Sequence, residues 1–182
     1  MSDTRHLEEL RFRFNNGEKL DYIFFWGYEQ SLCGMNDACL SQWYESPFGV
    51  DDCRYLTAEH FMMAEKAALF GDEEMRQKIL NAQTPAGAKA LGRRVRGFDE
   101  VVWCQNRFSI VMRANKAKFS QNEALRHFLI GTGSRVLVEA SPADPVWGIG
   151  LGQEDARVNN PNEWRGLNLL GFALMQVRKK IA

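Results

Sequence analysis

The chain has no run of about 18 apolar residues, which excludes a membrane-spanning helix. It has no net charge either, with 23 Lys and Arg set against 23 Asp and Glu. Such a balance supplies no global field for nucleic acid or an anionic lipid surface; only local basic patches could serve. Cysteine is scarce. Cys33, Cys39, Cys53 and Cys104 match no common zinc signature, so reduced thiols are expected rather than a metal site. The first residues, Met1-Ser2-Asp3-Thr4-Arg5-His6, lack the apolar centre of a signal peptide, and a cytoplasmic location is the expectation. No internal repeat or linker divides the chain.

What remains is an ordinary globular composition, 45% hydrophobic and 25% charged over 182 residues, enough for one domain with a substantial core. Residues 1–20 read as a charged N-terminal extension closed by the turn Asn15-Asn16-Gly17. Asp21-Tyr22-Ile23-Phe24-Phe25-Trp26-Gly27 reads as a buried strand, and residues 28–40 as loop. Trp43, Tyr44 and Phe48 follow in an irregular segment, where aromatics act as core pegs or stack on a flat ring.

Helix signals then succeed one another. Thr57 caps a helix that stops at Gly71, Asp72 begins one reaching 80, and Thr84-Pro85 starts a third that ends at Gly92. Asp99 caps a long helix over 100–119, a fifth covers 123–130, and an apolar helix closes the chain over 166–178. Between the last two, Arg135 to Ala140 alternates as a strand does, and 155–165 reads as a mobile surface insertion.

Chemistry concentrates in two stretches. In the Thr57 helix, Glu59, Met62, Met63 and Lys66 fall on one side at about 100° per residue. A side with two methionines faces the interior, so a carboxylate and an ammonium point inward, where charge is costly without a partner or ligand. Glu59 also suits the positive end of the helix dipole, and Lys66 could snorkel to solvent. The second stretch runs from Ser141 to Gly152. Two prolines stiffen it, alternate glycines permit close backbone approach, and Asp144 and Trp147 set a carboxylate beside a stacking platform. Arg93, Arg94 and Arg96 either answer a helix dipole or hold a phosphate. With Arg113, Lys116 and Lys118 they either serve nucleic acid or solvate a face. Trp103 by itself reads as core, and Asn168 as a cap or a ligand contact.

Five motifs in order resemble the YbiA-like (NADAR) family. They are Phe24-Phe25-Trp26-Gly27, the run from Thr57 to Lys66, Ala90-Leu91-Gly92-Arg93, Asp144-Pro145-Val146-Trp147-Gly148-Ile149-Gly150, and Leu167-Asn168-Leu169-Leu170-Gly171 followed by Arg178. The resemblance implies a mainly α (α+β) fold, helical with a small β-sheet, in one domain over 21–182. It implies N-glycosidase activity, on phosphoribosyl pyrimidine intermediates of riboflavin biosynthesis or on ADP-ribose attached to guanine in nucleic acid. No cofactor is implied. The partner is a nucleotide or ADP-ribosyl small molecule, with nucleic acid as a carrier of the modified base and no membrane; oligomeric state stays open.

The resemblance assigns catalysis to Glu59, Lys66, Asp144 and Trp103. Substrate contacts are expected from Trp43, Phe48, Arg93, Trp147, Gly148, Ile149, Gly150 and Asn168. Ile149 stands where many members carry Asp, which takes one polar group from that loop. Glu59 is expected to orient water below the anomeric carbon, and Asp144 to hold ribose hydroxyls. Lys66 is expected to act either as a cation or as a Schiff-base amine. The competing expectation is a non-catalytic module that binds ADP-ribose or NAD; a domain with no ligand is a third.

Overall fold

The computed structural model describes residues 4–29 and 35–182. Among them the order is α1 Arg5–Asn15, β1 Tyr22–Phe25, a 3₁₀ turn Asp37–Leu40, β2 Phe48–Val50, β3 Cys53–Tyr55, α2 Ala58–Leu69, α3 Glu73–Leu80, α4 Pro85–Gly92, α5 Glu100–Gln121, α6 Glu123–Gly131, β4 Val136–Glu139 and α7 Leu169–Ile181. The mainly helical expectation holds. The caps act as their chemistry requires: Thr57, Asp72, Thr84 and Asp99 side chains accept from the amides of His60, Met75, Gly87 and Val102.

β1 and β4 pair in parallel, Tyr22 with Val136 through Phe25 with Glu139. Parallel strands need a long crossover, and here helices α2 to α6 provide it. The pair lies between two apolar clusters. Phe25 and Leu137 join the main core with Phe61, Val111 and Leu170. Val136 and Val138 join a second one with Leu7, Leu10, Ile149, Trp164 and Phe172. The period of two along each strand thus serves two cores at once. α2 lies deep in the main core, its residues from Ala58 to Ala64 all buried.

One expectation is corrected, that of a mobile 155–165 insertion, and two elements the sequence reading left unmarked appear. Residues 5–15 are helical; Leu7 and Leu10 are buried, and His6 meets the Phe108 and Phe172 rings. Only two apolar residues of this helix are buried, a weak signal beside its many charges. The segment 155–165 is packed, not loose: Val158, Pro161 and Trp164 are buried, and the Trp164 indole donates to the Val158 carbonyl at 2.8 Å. The 48–55 stretch is a tight hairpin turning on Asp51 and Asp52, both with positive φ. That is the type I′ geometry hairpins favour, built without the usual glycine.

Asp72 ties α3 to the loop after α4. Its side chain is 1% accessible and accepts from Met75 N, Arg96 N, Arg96 Nε and Arg96 Nη2. The Arg96 side chain and backbone amide hold this carboxyl well below the usual range. Asp72→Asn is expected to lower the thermal midpoint by several degrees, a loss that shrinks as pH falls toward the range where wild-type Asp72 protonates. An unchanged midpoint at pH 7 would show that the network carries no stability.

Candidate active site

A hollow of about 360 Å³ opens where α2, α4, α5, the 41–43 segment and the loop after β4 meet. From α2 come Glu59, Met62, Met63 and Lys66, the predicted inward side. α4 contributes Lys89 and Arg93, one helical turn apart. Gly92 permits the close approach of α4 to α2: a Cβ there would stand 2.0 Å from Met63 Sδ. α5 gives Trp103 and Arg107; the loop gives Asp144 and Trp147; Trp43 and Gln42 close the other wall.

The wall at 41–43 is held from below by Lys118. This side chain is fully buried, and its Nζ donates to the carbonyls of Cys39 (2.6 Å) and Ser41 (2.8 Å). Burial pushes its pKa down to about 7. Gln42 is fixed through its Oε1, which accepts from Asn115, and its carbonyl, which accepts from Glu59 N.

Three polar atoms on the hollow are sealed from solvent without a partner: Glu59 Oε1, Glu139 Oε2 and Gln42 Nε2. Native interiors rarely leave such groups without a protein or water partner, so their gathering here marks the hollow as the candidate site. Glu59 is 2% exposed, and burial pushes its pKa up to about 7 against the pull of Lys89, a hydrogen bond with Trp43 and Arg93. Glu139 is pushed to about 8 by burial and by the charges of Asp144 and Glu59. Asp144 Oδ1 accepts from Val146 N (2.9 Å) and Trp147 N (2.8 Å), a turn that sets Trp147 on the wall. Lys66 Nζ lies 4.1 Å from the centre of the Phe98 ring and 5.5 Å from that of Trp103. Burial lowers its pKa, with Glu100 opposing.

The structure thus brings together seven of the expected residues: Glu59, Lys66, Asp144, Trp103, Trp43, Arg93 and Trp147. Five others lie off the cavity lining. Phe48 is a core peg, stacked on Tyr55 and tilted against Phe61. Ile149 is fully buried in the second core, so an apolar residue suits that position. Gly148, Gly150 and Asn168 shape backbone. A Cβ on Gly148 would stand 2.9 Å from the Glu139 carbonyl, and Gly150 has φ +67°. Asn168, itself left-handed at φ +53°, accepts from Glu139 N and donates to the Leu137 carbonyl.

Sequence reading missed Glu139, Lys89, Gln42 and Arg107. Glu139 ends a strand, where a polar residue reads as the exit to solvent. Lys89 and Arg107 lie on helices the sequence did mark, where a lone basic side chain reads as solvated, and Gln42 sits in an irregular segment. The basic cluster is largely spoken for: Arg96 pairs with Asp72 and Glu74, Arg113 with Glu65 and Asp51, and Lys118 is buried. Cys39, Cys53 and Cys104 are thiols; Cys33 lies outside the described residues. Larger clefts between α1 and α7 (about 800 Å³) and beside the hairpin (about 590 Å³) hold no unpaired buried carboxyl among the described residues.

Both raised carboxyls bind a proton more tightly in the folded chain than in the unfolded one. Their stabilisation is complete below about pH 4.5 and is lost as pH rises through about 7 and 8. Lys118 has the opposite sign, adding stability between about 7 and 10.5, and cancels from a comparison with variants that retain it. A Glu59→Gln/Glu139→Gln double variant is therefore expected to gain several kcal/mol over wild type at pH 8 and much less at pH 5. Urea titrations at the two pH values check it; a pH-independent difference would contradict these environments.

Together, these elements form a mainly helical domain around a hollow lined by three tryptophans, three carboxyls and four basic side chains. The chain belongs to the NADAR domain family, which residues 24–182 match. It is 43% identical over 165 residues to N-glycosidase R617 of Acanthamoeba polyphaga mimivirus, covering 87% of this chain and 95% of that protein. It is 31% identical over 136 residues to N-glycosidase YbiA of Escherichia coli strain K12, covering 75% and 76%. A maize protein named Riboflavin biosynthesis protein PYRR, chloroplastic, is 38% identical over 132 residues, 69% of this chain and 19% of its own length. The NMR structure of the E. coli protein YbiA superposes with a TM-score of 0.70 at 28% identity, over 89% of this chain and 86% of that one.

Proposed function

We propose that this protein hydrolyses the N-glycosidic bond of a phosphorylated ribosyl substrate. The carrying observation is the set of unsatisfied carboxyl oxygens on a hollow walled by tryptophans and edged by Lys66, Lys89 and Arg93. The two relatives named N-glycosidase support the same reading. At about 360 Å³ the hollow is near the small end of ligand pockets, with room for a base and its ribose.

Breaking a C1–N bond builds positive charge on the sugar, and carboxylates beside the anomeric carbon stabilise it far better in a dry pocket than in water. Glu59 orients the attacking water and takes its proton. Asp144, with Oδ1 committed to the loop, uses its second oxygen for the ribose hydroxyls. Trp43, Trp103 and Trp147 stack on the flat groups and keep bulk water out. Arg93 and Lys89 take the phosphate. The two substrate classes this reading admits are a riboflavin-pathway ribosylamino-pyrimidine phosphate and ADP-ribosylated guanine in nucleic acid.

Lys66 supports a second route. It has no carboxylate within salt-bridge distance among the described residues, and burial favours its neutral amine, which can attack C1 of a ring-opened ribose. Turnover in ¹⁸O-water tests the hydrolysis: label in the freed sugar is expected, and base release without label contradicts it. Borohydride added during turnover decides the route, because only an imine leaves a ribosyl adduct on Lys66.

A further inference from the structure

Hydrolysis of an N-glycoside needs a third task besides charge stabilisation and water activation. The departing nitrogen carries away an electron pair and leaves poorly unless it is protonated. The residues already given roles do not supply that proton. Burial raises Glu59 and Asp144 adds to it, but Lys89, the Trp43 hydrogen bond and Arg93 pull it back to about 7, below Glu139 at about 8, which leaves Glu59 the readier of the two to accept a proton. Asp144 has one oxygen occupied by two amides.

Glu139 is placed differently. Its side chain lines the hollow, the residue keeps part of its surface open, and Oε2 is shut off from solvent with no partner. The groups it feels are Asp144 from the loop, Glu59 from α2 and Lys89 from α4; Lys66 on α2 and Arg93 on α4 line the same hollow, as does Arg107 on α5, which has bonds of its own. Two neighbouring carboxylates favour the neutral acid here. Glu59 feels Asp144 as well but is answered by Lys89, Trp43 and Arg93, whereas Glu139 is answered by Lys89 alone, so of these two the proton stays on Glu139.

Its backbone is fixed on every side. Glu139 N donates to Asn168 Oδ1 at 3.0 Å, its carbonyl accepts from Ile149 N at 3.0 Å, and Gly148 leaves room for that carbonyl. Gly148, Ile149 and Asn168, none of which lines the hollow, converge on one residue.

We propose that Glu139 is the catalytic acid that protonates the departing base, with Gly148 and Asn168 as its positioning residues. The inference rests on the hydrolase reading above. The Glu139 carboxyl proton passes to the base nitrogen as the C1–N electron pair moves onto it. The oxygen of water bonds to C1, and its released proton goes to Glu59. Solvent returns one proton from Glu59 to Glu139, so each turnover consumes one water.

The test compares two substrates of the full chain. One is a ribosylamino-pyrimidine 5′-phosphate, whose base needs a proton to leave; the other is p-nitrophenyl ribofuranoside 5-phosphate, whose phenolate does not. Glu139→Gln is expected to lose about 10²–10⁴-fold in kcat on the first, along with the alkaline limb of its pH profile, and to stay within a few-fold of wild type on the second. Glu59→Gln is expected to lose on both. Equal losses of Glu139→Gln on the two substrates, or none on either, would overturn the assignment. Wild type inert toward both would sink the hydrolase reading and this one with it. An infrared readout independent of turnover adds a check: a protonated-carboxyl stretch at neutral pH, diminished in Glu139→Gln, is expected, and an undiminished one contradicts the proposal.

Discussion

Replacing Glu59 with Gln is expected to lower kcat for base release by about 10²–10⁴-fold, with KM changed far less. The amide is nearly isosteric and keeps the partner Trp43 in reach, so binding by the tryptophans, Lys89 and Arg93 survives. What goes is the proton acceptor for water and the negative charge beside the anomeric carbon. The same variant is expected to resist urea better at pH 8, because a carboxylate buried at 2% exposure is costly and its amide is not. Activity lost while stability rises is the signature of a group kept for chemistry. Steady-state kinetics with denaturation on one preparation checks both, and near-wild-type turnover removes Glu59 from the mechanism.

Asn168→Ala is expected to cost about 3–8 kcal/mol of stability. The substitution strips two hydrogen bonds and leaves the Glu139 N–H and the Leu137 carbonyl unpaired in a fully buried setting. Each such orphan costs about 1–3 kcal/mol, and a left-handed alanine adds about 1–2 more. The neighbourhood cannot close over the gap by moving α7 inward, since Gly171 already stands with its Cβ position 2.1 Å from the Leu137 carbonyl. A loss of this size is a large share of an ordinary domain's stability. Urea midpoints measure it; a loss under about 1 kcal/mol would show that Asn168 does not hold the strand.

These two residues also mark how far the chain could be read in advance. α2 to α5 were legible because Thr57, Asp72, Thr84 and Asp99 are side chains whose local chemistry starts a helix, and α2 carried its inward charges at helical spacing. Glu59, Lys66, Asp144 and three tryptophans were found together for that reason, helped by the likeness of five motifs to one family. Asn168 was visible as important but not as what it is. Its partners, Leu137 and Glu139, lie about 30 positions earlier in the chain, and only the fold brings them to its side chain. Glu139 was invisible because a strand's last residue usually meets water; here the loop of residues 143–147 covers it. Ile149 and Phe48 were misplaced by the opposite error. Ile149 lies inside a motif and Phe48 in the aromatic segment after Trp43, but both side chains turn into the core. The hairpin hid because Asp51-Asp52 is a poor match to the usual turn sequences.

One measurement bears on all of this most directly: mass analysis of what wild-type protein releases from a ribosylamino-pyrimidine 5′-phosphate and from an ADP-ribosylated guanine oligonucleotide. The account predicts free base with ribose 5-phosphate from the first, or intact guanine with ADP-ribose from the second. Saturable binding of both with neither cleaved would contradict it and leave a nucleotide-binding module in its place.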